Sequence, residues 1–273
     1  MRDQAKKAFF GFIFALLIVL FSEVFFQVFN IPDRGIYEGD PATVWWLKPN
    51  LEDSLSHPDS GSFRLSTGED GFRGVPPPVT GEWVLVLGCS TTFGWGVDDE
   101  KAWPTLLSQM SGVHIVNGGV PGWTTHQALS GLNRWKAHKP TQVLISYGVR
   151  DAQLASHEDK ASQPTPFIFK SQLMRLFGRL FPPSSSHGTV PRVSLSDYKA
   201  NLRTIAALFG ATPTHSMVFP QKDIDLGYAD ALRNTIPALD VGNFDDSNFF
   251  DADPIHLNER GNQLLAERLV QYF

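Results

Sequence analysis

Three residue types that together activate a hydroxyl occur in this 273-residue chain, each beside backbone of special geometry. Ser90 lies in Gly88-Cys89-Ser90-Thr91-Thr92-Phe93-Gly94-Trp95-Gly96, directly after the apolar run Trp83 to Leu87. His256 and Asp253 share the segment Asp253-Pro254-Ile255-His256, just ahead of the last helix-like stretch. A serine hydroxyl is a weak nucleophile at neutral pH; it needs an imidazole to take its proton and a third group to fix the imidazole tautomer. Ser90, His256 and Asp253 fit those roles. A serine placed where a buried strand gives way to glycine-rich backbone is displayed at the carboxyl edge of a sheet, where open α/β folds put their ligand sites.

Other chemistries find less support. Cys89 is the single cysteine, so neither an intrachain disulfide nor a zinc pattern is available, and nothing favours its thiol over the adjacent serine as nucleophile. The histidines at 57, 114, 126, 138, 157, 187 and 215 show no spacing that gathers metal ligands, and no cofactor is expected. A formal net charge of −5 without basic clusters argues against nucleic-acid binding.

Read in order, these segments resemble the SGNH (GDSL-like) hydrolases over roughly residues 81–273. Gly88-Cys89-Ser90 with Thr92 and Gly94 is similar to that family's first block, and Asn117-Gly118-Gly119-Val120-Pro121-Gly122 to its second. Gly148-Val149-Arg150-Asp151 matches the third, Gly-x-Asn-Asp, only in part, and Asp253 with His256 matches the fifth, Asp-x-x-His. The resemblance implies a three-layer, flavodoxin-like α/β fold with a five-stranded parallel sheet. It also implies an acyl-serine mechanism and an oxyanion hole built from the backbone N–H groups of Ser90 and Gly122. Cys89 stands where the family usually has aspartate, a mild departure. Arg150 stands where the family's asparagine donates to the oxyanion. An arginine offers N–H donors and a fixed positive charge there; its alternative is to point away, and loss of one donor costs about 10²–10³ in turnover. Trp95 and Trp123 flank the first and second blocks and are candidates to stack on a sugar face or acyl group, with core packing as the alternative.

The elements that must position these residues begin with a membrane signal. Arg2, Lys6 and Lys7 precede the apolar run Ala8 to Phe21, which resumes after Ser22 and Glu23 through Ile31 and so reaches the roughly 20 residues that cross a bilayer. Residues 1–31 are therefore expected to be an uncleaved signal anchor; a cleaved signal peptide is the rival, but no small-x-small site follows. The basic flank keeps that end cytoplasmic, placing the remainder in the periplasm or outside the cell. The bilayer is thus one expected partner and an ester substrate the other. Residues 32–80, rich in Pro, Asp, Gly and Ser, read as a stalk with short strands lying against the catalytic domain, because Trp45 and Trp46 would otherwise be exposed, with Pro76 to Pro78 as a stiff joint.

Within 81–273, strand-like runs at 83–87, 113–117, 142–147, 215–219 and 238–241 alternate with helix-like runs at 101–110, 124–137, 195–209, 227–235 and 258–272. Alternation of this kind predicts a parallel sheet covered on both faces. Residues 152–193 break the rhythm as a lid-like insertion. There Phe169, Leu173, Leu176, Phe177 and Leu180 follow helical spacing beside Lys170, Arg175 and Arg179, which suits a packed lid or a helix on the anchoring membrane. The leading functional reading is a membrane-anchored extracytoplasmic serine esterase. O-acyl groups on a glycan are the substrate class that similarly anchored family members suggest. An O-acyltransferase in which a sugar hydroxyl replaces water, and a non-catalytic glycan-binding protein of the same fold, are the alternatives.

Overall fold

The computed structural model describes residues 2–33, 35–78, 80–161, 171–181, 188–221 and 225–273. Helix α1 (Arg2–Val28) is followed by two antiparallel hairpins, β1 (Tyr37–Asp40) with β2 (Val44–Leu47) and β3 (Glu52–His57) with β4 (Gly61–Ser66). The α/β unit then runs β5 (Trp83–Gly88), α2 (Ser90–Phe93), α3 (Trp103–Ser111), β6 (His114–Gly119), α4 (Thr125–Ala137) and β7 (Gln142–Ser146). After β8 (Leu154–Ala155), α5 (Gln172–Leu180) and β9 (Val190–Pro191) come α6 (Leu195–Phe209), β10 (Thr214–Met217), α7 (Leu226–Thr235), β11 (Ala238–Leu239) and α8 (Glu259–Leu269).

The central sheet has five strands in the order β11-β10-β7-β5-β6, every neighbouring pair parallel. Read from the other edge this is the doubly wound order of flavodoxin-like folds, in which the chain reverses its winding beside the first strand and opens a crevice there. Strand β5 shows why the sheet is buried on both faces. Its side chains alternate with period two: Leu85 and Leu87 join the cluster containing Trp135 of α4, Tyr198 and Leu202 of α6 and Leu232 of α7. Val84 and Val86 join the opposite cluster with Trp103 and Leu107 of α3 and Leu265 and Leu269 of α8. A continuous apolar run, rather than alternation with polar residues, is what such a doubly covered strand requires.

Several expected elements end before their sequence pattern does, the 215–219 strand at Met217 among them. The 238–241 run forms strand only at Ala238–Leu239, because Asp240 accepts the Gly242 N–H at 2.9 Å and turns the chain away from the sheet edge. The last helix ends at Leu269 and tightens into a 3₁₀ turn over Val270–Tyr272.

Residues 32–80 belong to the same packing unit as the sheet. Trp46, Leu47, Phe63, Leu65 and Phe72 are buried in the cluster that holds Leu85 and Trp135. Arg73 fixes the join: its Nε lies 2.6 Å from Asp99 Oδ1, and its guanidinium donates to the carbonyls of Phe93, Gly94 and Val97. Helix α1 carries Phe9, Phe10, Phe14 and Phe21 outward, and its segment Gln4–Val28 is long and apolar enough to cross a membrane as a single-pass anchor. Lys170 and the Pro-containing runs 163–166 and 182–186 lie outside the described residues.

Candidate active site

The crevice forms where β5 ends. Gly88 has to be glycine: a Cβ there would stand 2.0 Å from Thr92 Oγ1 and 2.8 Å from the Ser146 carbonyl. That clearance lets the chain fold back into α2, which Ser90 opens, so the Ser90 N–H is among the first-turn donors without an intrahelical acceptor. The loop beyond is locked from two sides, by Arg73 as described and by Asn117, whose Nδ2 donates to Phe93 O at 3.1 Å while its Oδ1 accepts from Gly119 N.

Ser90 Oγ lies 2.8 Å from His256 Nε2, and His256 Nδ1 lies 2.7 Å from Asp253 Oδ2. With Asp253 ionised, Nδ1–H donates to the carboxylate and Nε2 accepts from the hydroxyl. The 253–256 turn is closed by His256 N donating to Asp253 O and by Phe250 N donating to His256 O, both at 3.1 Å. Burial acts to raise the Asp253 carboxyl, but hydrogen bonds and charge from His256 and His57 outweigh it and hold the group below the usual range.

Gly122 lies across the crevice with φ of +84°, a left-handed conformation natural to glycine. Its carbonyl accepts from Arg192 Nη1 at 2.8 Å, and a Cβ on it would approach Trp45 Cζ2 to 3.2 Å. Ser90, His256, Asp253, Gly122, Arg150 and Trp95 all line one cavity of about 600 Å³. Arg150 reaches it while Nη1 donates to Gln153 Oε1 at 2.8 Å, and its buried Nε has no hydrogen-bond partner. The turn that carries Arg150 is held by Asp151, whose carboxylate accepts from Thr125 N, Thr125 Oγ1 and Gly148 N. Burial pushes the Asp151 carboxyl up to about 6, against the pull of those donors and of Arg192.

Trp123 departs from expectation. It is fully buried, its ring centroid 4.9 Å from Trp46 and 5.7 Å from Trp135, and its Nε1 donates to Trp45 O. It does not line the cavity and is a core residue, because the 32–80 hairpins cover the face on which the sequence alone would leave it open. Cys89 is also buried away from the cavity, its Sγ 3.3 Å from Thr91 Oγ1.

Several cavity residues escaped the sequence reading. Tyr37, Glu38 and Trp45 come from the first hairpin, Arg175 from α5 and Ile255 from the turn between Asp253 and His256. Burial pushes the Tyr37 phenol to about 12, against the charge of Arg150, so it remains a neutral donor at physiological pH. No local motif marks these positions; the Trp45-Trp46 pair was the one available signal, and it does not say which indole faces the site. His57 also comes close: at the end of β3, buried, it presents Nε2 3.5 Å from Asp253 Oδ2.

Residues 86–264 match the GDSL-like Lipase/Acylhydrolase family. Among curated proteins, an arylesterase from Vibrio mimicus is 37% identical over 76 residues, covering 26% of this chain and 38% of that protein. Thioesterase 1/protease 1/lysophospholipase L1 of Escherichia coli strain K12 is 27% identical over 114 residues, covering 36% of this chain and 55% of that protein. The chain therefore spans about half the length, or less, of these curated relatives. Among solved structures, the lipase/acylhydrolase from Enterococcus faecalis superposes with a TM-score of 0.47 at 19% identity, covering 70% of this chain and 94% of that one.

Proposed function

Since this chain belongs to the GDSL-like lipase/acylhydrolase family, we propose that it is a membrane-anchored serine esterase working through an acyl-enzyme on Ser90. The carrying observation is the unbroken hydrogen-bonded line Ser90–His256–Asp253 opening into the cavity. Ser90 Oγ attacks the ester carbonyl while its proton passes to His256 Nε2. The tetrahedral oxyanion is held by the N–H groups of Ser90 and Gly122, with Arg150 adding positive charge from the cavity wall. Collapse breaks the bond to the alcohol, which leaves with the proton from His256. Water then attacks the acyl carbonyl, gives its proton to the same nitrogen, and releases the acid as Ser90 recovers the proton.

Ester chemistry is the class that the curated relatives' names share: an arylesterase, and a thioesterase that is also a lysophospholipase. In this reading helix α1, long and apolar enough to span a membrane, crosses the bilayer with the basic flank of Arg2, Lys6 and Lys7 in the cytoplasm, and the site faces the periplasm or the exterior. O-acyl groups on a glycan fit that location, with Tyr37, Trp45 and Trp95 as an aromatic wall for the ring.

The test uses the detergent-solubilised full chain with a fluorophosphonate probe and a short-chain aryl ester. Labelling of the wild type and its loss in Ser90→Ala, with hydrolysis falling by about 10⁴-fold or more, is the expected outcome. A wild type inert to both reagents, or a Ser90→Ala form that still turns over, overturns the proposal.

A further inference from the structure

Helix α5 is divided by face. Gln172 is buried, and Arg175 of the same inner stripe lines the Ser90 cavity. Met174, Phe177, Leu180 and Phe181 form the outer stripe and are 43, 59, 65 and 64% exposed. The helix carries two arginines and no acid. Its first turn is bound to α1 through Glu23, whose carboxylate accepts from Gln172 N at 2.7 Å, Ser171 Oγ at 2.8 Å and Leu173 N at 3.0 Å. At about 1.5 Å per residue, Glu23 stands roughly 7.5 Å short of the end of α1 at Val28. That is the depth to which the apolar face of an interfacial helix is buried.

We propose that α5 lies in the outer interface of the bilayer crossed by α1, with its Met174–Phe177–Leu180–Phe181 face in the lipid, which seats the Ser90 cavity at the membrane surface. This rests on the reading of α1 as a membrane span. The outer stripe and the apolar side chains of α1 are both exposed on helices joined at Glu23, and Arg175 of the inner stripe, a helix diameter of about 10 Å away, forms part of the cavity wall. The cavity is therefore reached from headgroup level rather than from open solvent.

Nitroxide labels on single cysteines, each introduced on a Cys89→Ala background, test the placement in the full chain, reconstituted in phosphatidylcholine/phosphatidylglycerol vesicles: Leu16→Cys, Phe177→Cys, Phe181→Cys and, on exposed Thr204 of α6, Thr204→Cys. Relative accessibility to oxygen and to a water-soluble nickel chelate should rank residue 16 deepest, 177 and 181 at the interface, and 204 in water. A deep label at 16 with aqueous labels at 177 and 181 overturns the proposal and leaves the anchor standing. A water-exposed label at 16 removes the anchor and the proposal with it. Labels at 177 and 181 shielded from both reagents and immobilised would assign the face to protein contact, which also overturns it.

A separate observation concerns His57. Its Nδ1 accepts from Asp59 N at 3.3 Å and Ser60 N at 3.4 Å, which puts the ring proton on Nε2. That nitrogen is buried without a hydrogen-bond partner of good geometry and stands 3.5 Å from Asp253 Oδ2, the oxygen that His256 also engages. The imidazole lies 4.3 Å from the Phe250 ring, and Asp59 Oδ2 accepts from Ala252 N at 2.9 Å, so the β3–β4 hairpin grips the loop that carries Asp253.

We infer that His57 is a positioning residue that orients Asp253, and through it His256, from outside the α/β unit; this rests on the esterase reading. On the full chain, His57→Phe should lower kcat roughly 10- to 100-fold with KM for an aryl ester within twofold. His57→Gln, which returns an N–H donor near the same place, should recover most of the loss. Unchanged kcat in His57→Phe, or equal impairment of both variants at equal thermal stability, overturns the inference. A wild type that does not turn over at all is instead a failure of the esterase reading.

Discussion

Gly122 offers a quantitative test of the oxyanion site. In Gly122→Ala the new Cβ meets two costs. At φ of +84° an L-residue pays about 1–2 kcal/mol for a left-handed backbone. The methyl also lies 3.2 Å from Trp45 Cζ2, and that ring donates from Nε1 to Pro121 O, the carbonyl of the Pro121–Gly122 peptide, at 3.2 Å, so pushing the ring aside turns that peptide with it. Rotation re-aims the Gly122 N–H, the donor proposed for the oxyanion, and losing one such donor costs about 10²–10³ in kcat. The control is Gly112→Ala. Gly112 caps α3 with φ of +75° and open space around its missing Cβ, ahead of the amino-terminal end of β6, at the end of the strands opposite Ser90. Both variants should lose about 1–2 kcal/mol of stability, a fall of roughly 2–8 °C in Tm. Hydrolysis of an aryl ester should collapse in Gly122→Ala and stay within threefold in Gly112→Ala. Activity of Gly122→Ala within threefold of wild type, or equal loss in both, would refute the reasoning.

Other outcomes follow from the same geometry. Arg73→Met strips a buried partner from Asp99 and a donor from three carbonyls, so it should destabilise the chain by about 3–5 kcal/mol in urea unfolding; a loss below 1 kcal/mol would contradict the pinning role. Trp123→Ala should cost about 3–5 kcal/mol as a core cavity, whereas Trp95→Ala should chiefly raise KM for a bulky ester, and the reverse pattern would exchange their places. Asp151 titrates near 6 when folded against 3.8 as its ordinary value. The folded state therefore binds the extra proton between those values, and this contribution, up to about 3 kcal/mol, is complete below pH 4 and lost as the pH rises through 6. The stability of the wild type relative to Asp151→Asn should fall over that range in urea melts, and a constant difference would exclude it.

What the sequence determined by itself is local and periodic. The run Val84 to Leu87 is apolar without alternation because both faces of its strand are covered, so strand, burial and parallel sheet were legible together. The glycines around Ser90, the Asp253–His256 spacing and the basic flank of α1 are short-range signals whose physics is complete within a few residues. Trp123 shows where that stops: next to Gly122 in sequence, it turns into the core because Trp46, nearly eighty residues earlier, closes over it. No periodicity encodes that meeting. The same holds for Tyr37, Trp45, Arg175 and His57, which reach the site from hairpins and an insertion that carry no motif of their own. Their place follows from which aromatics must be buried against the α/β unit and from the carboxylate of Glu23 holding the first turn of α5. Those are long-range contacts, decided only when the chain is packed.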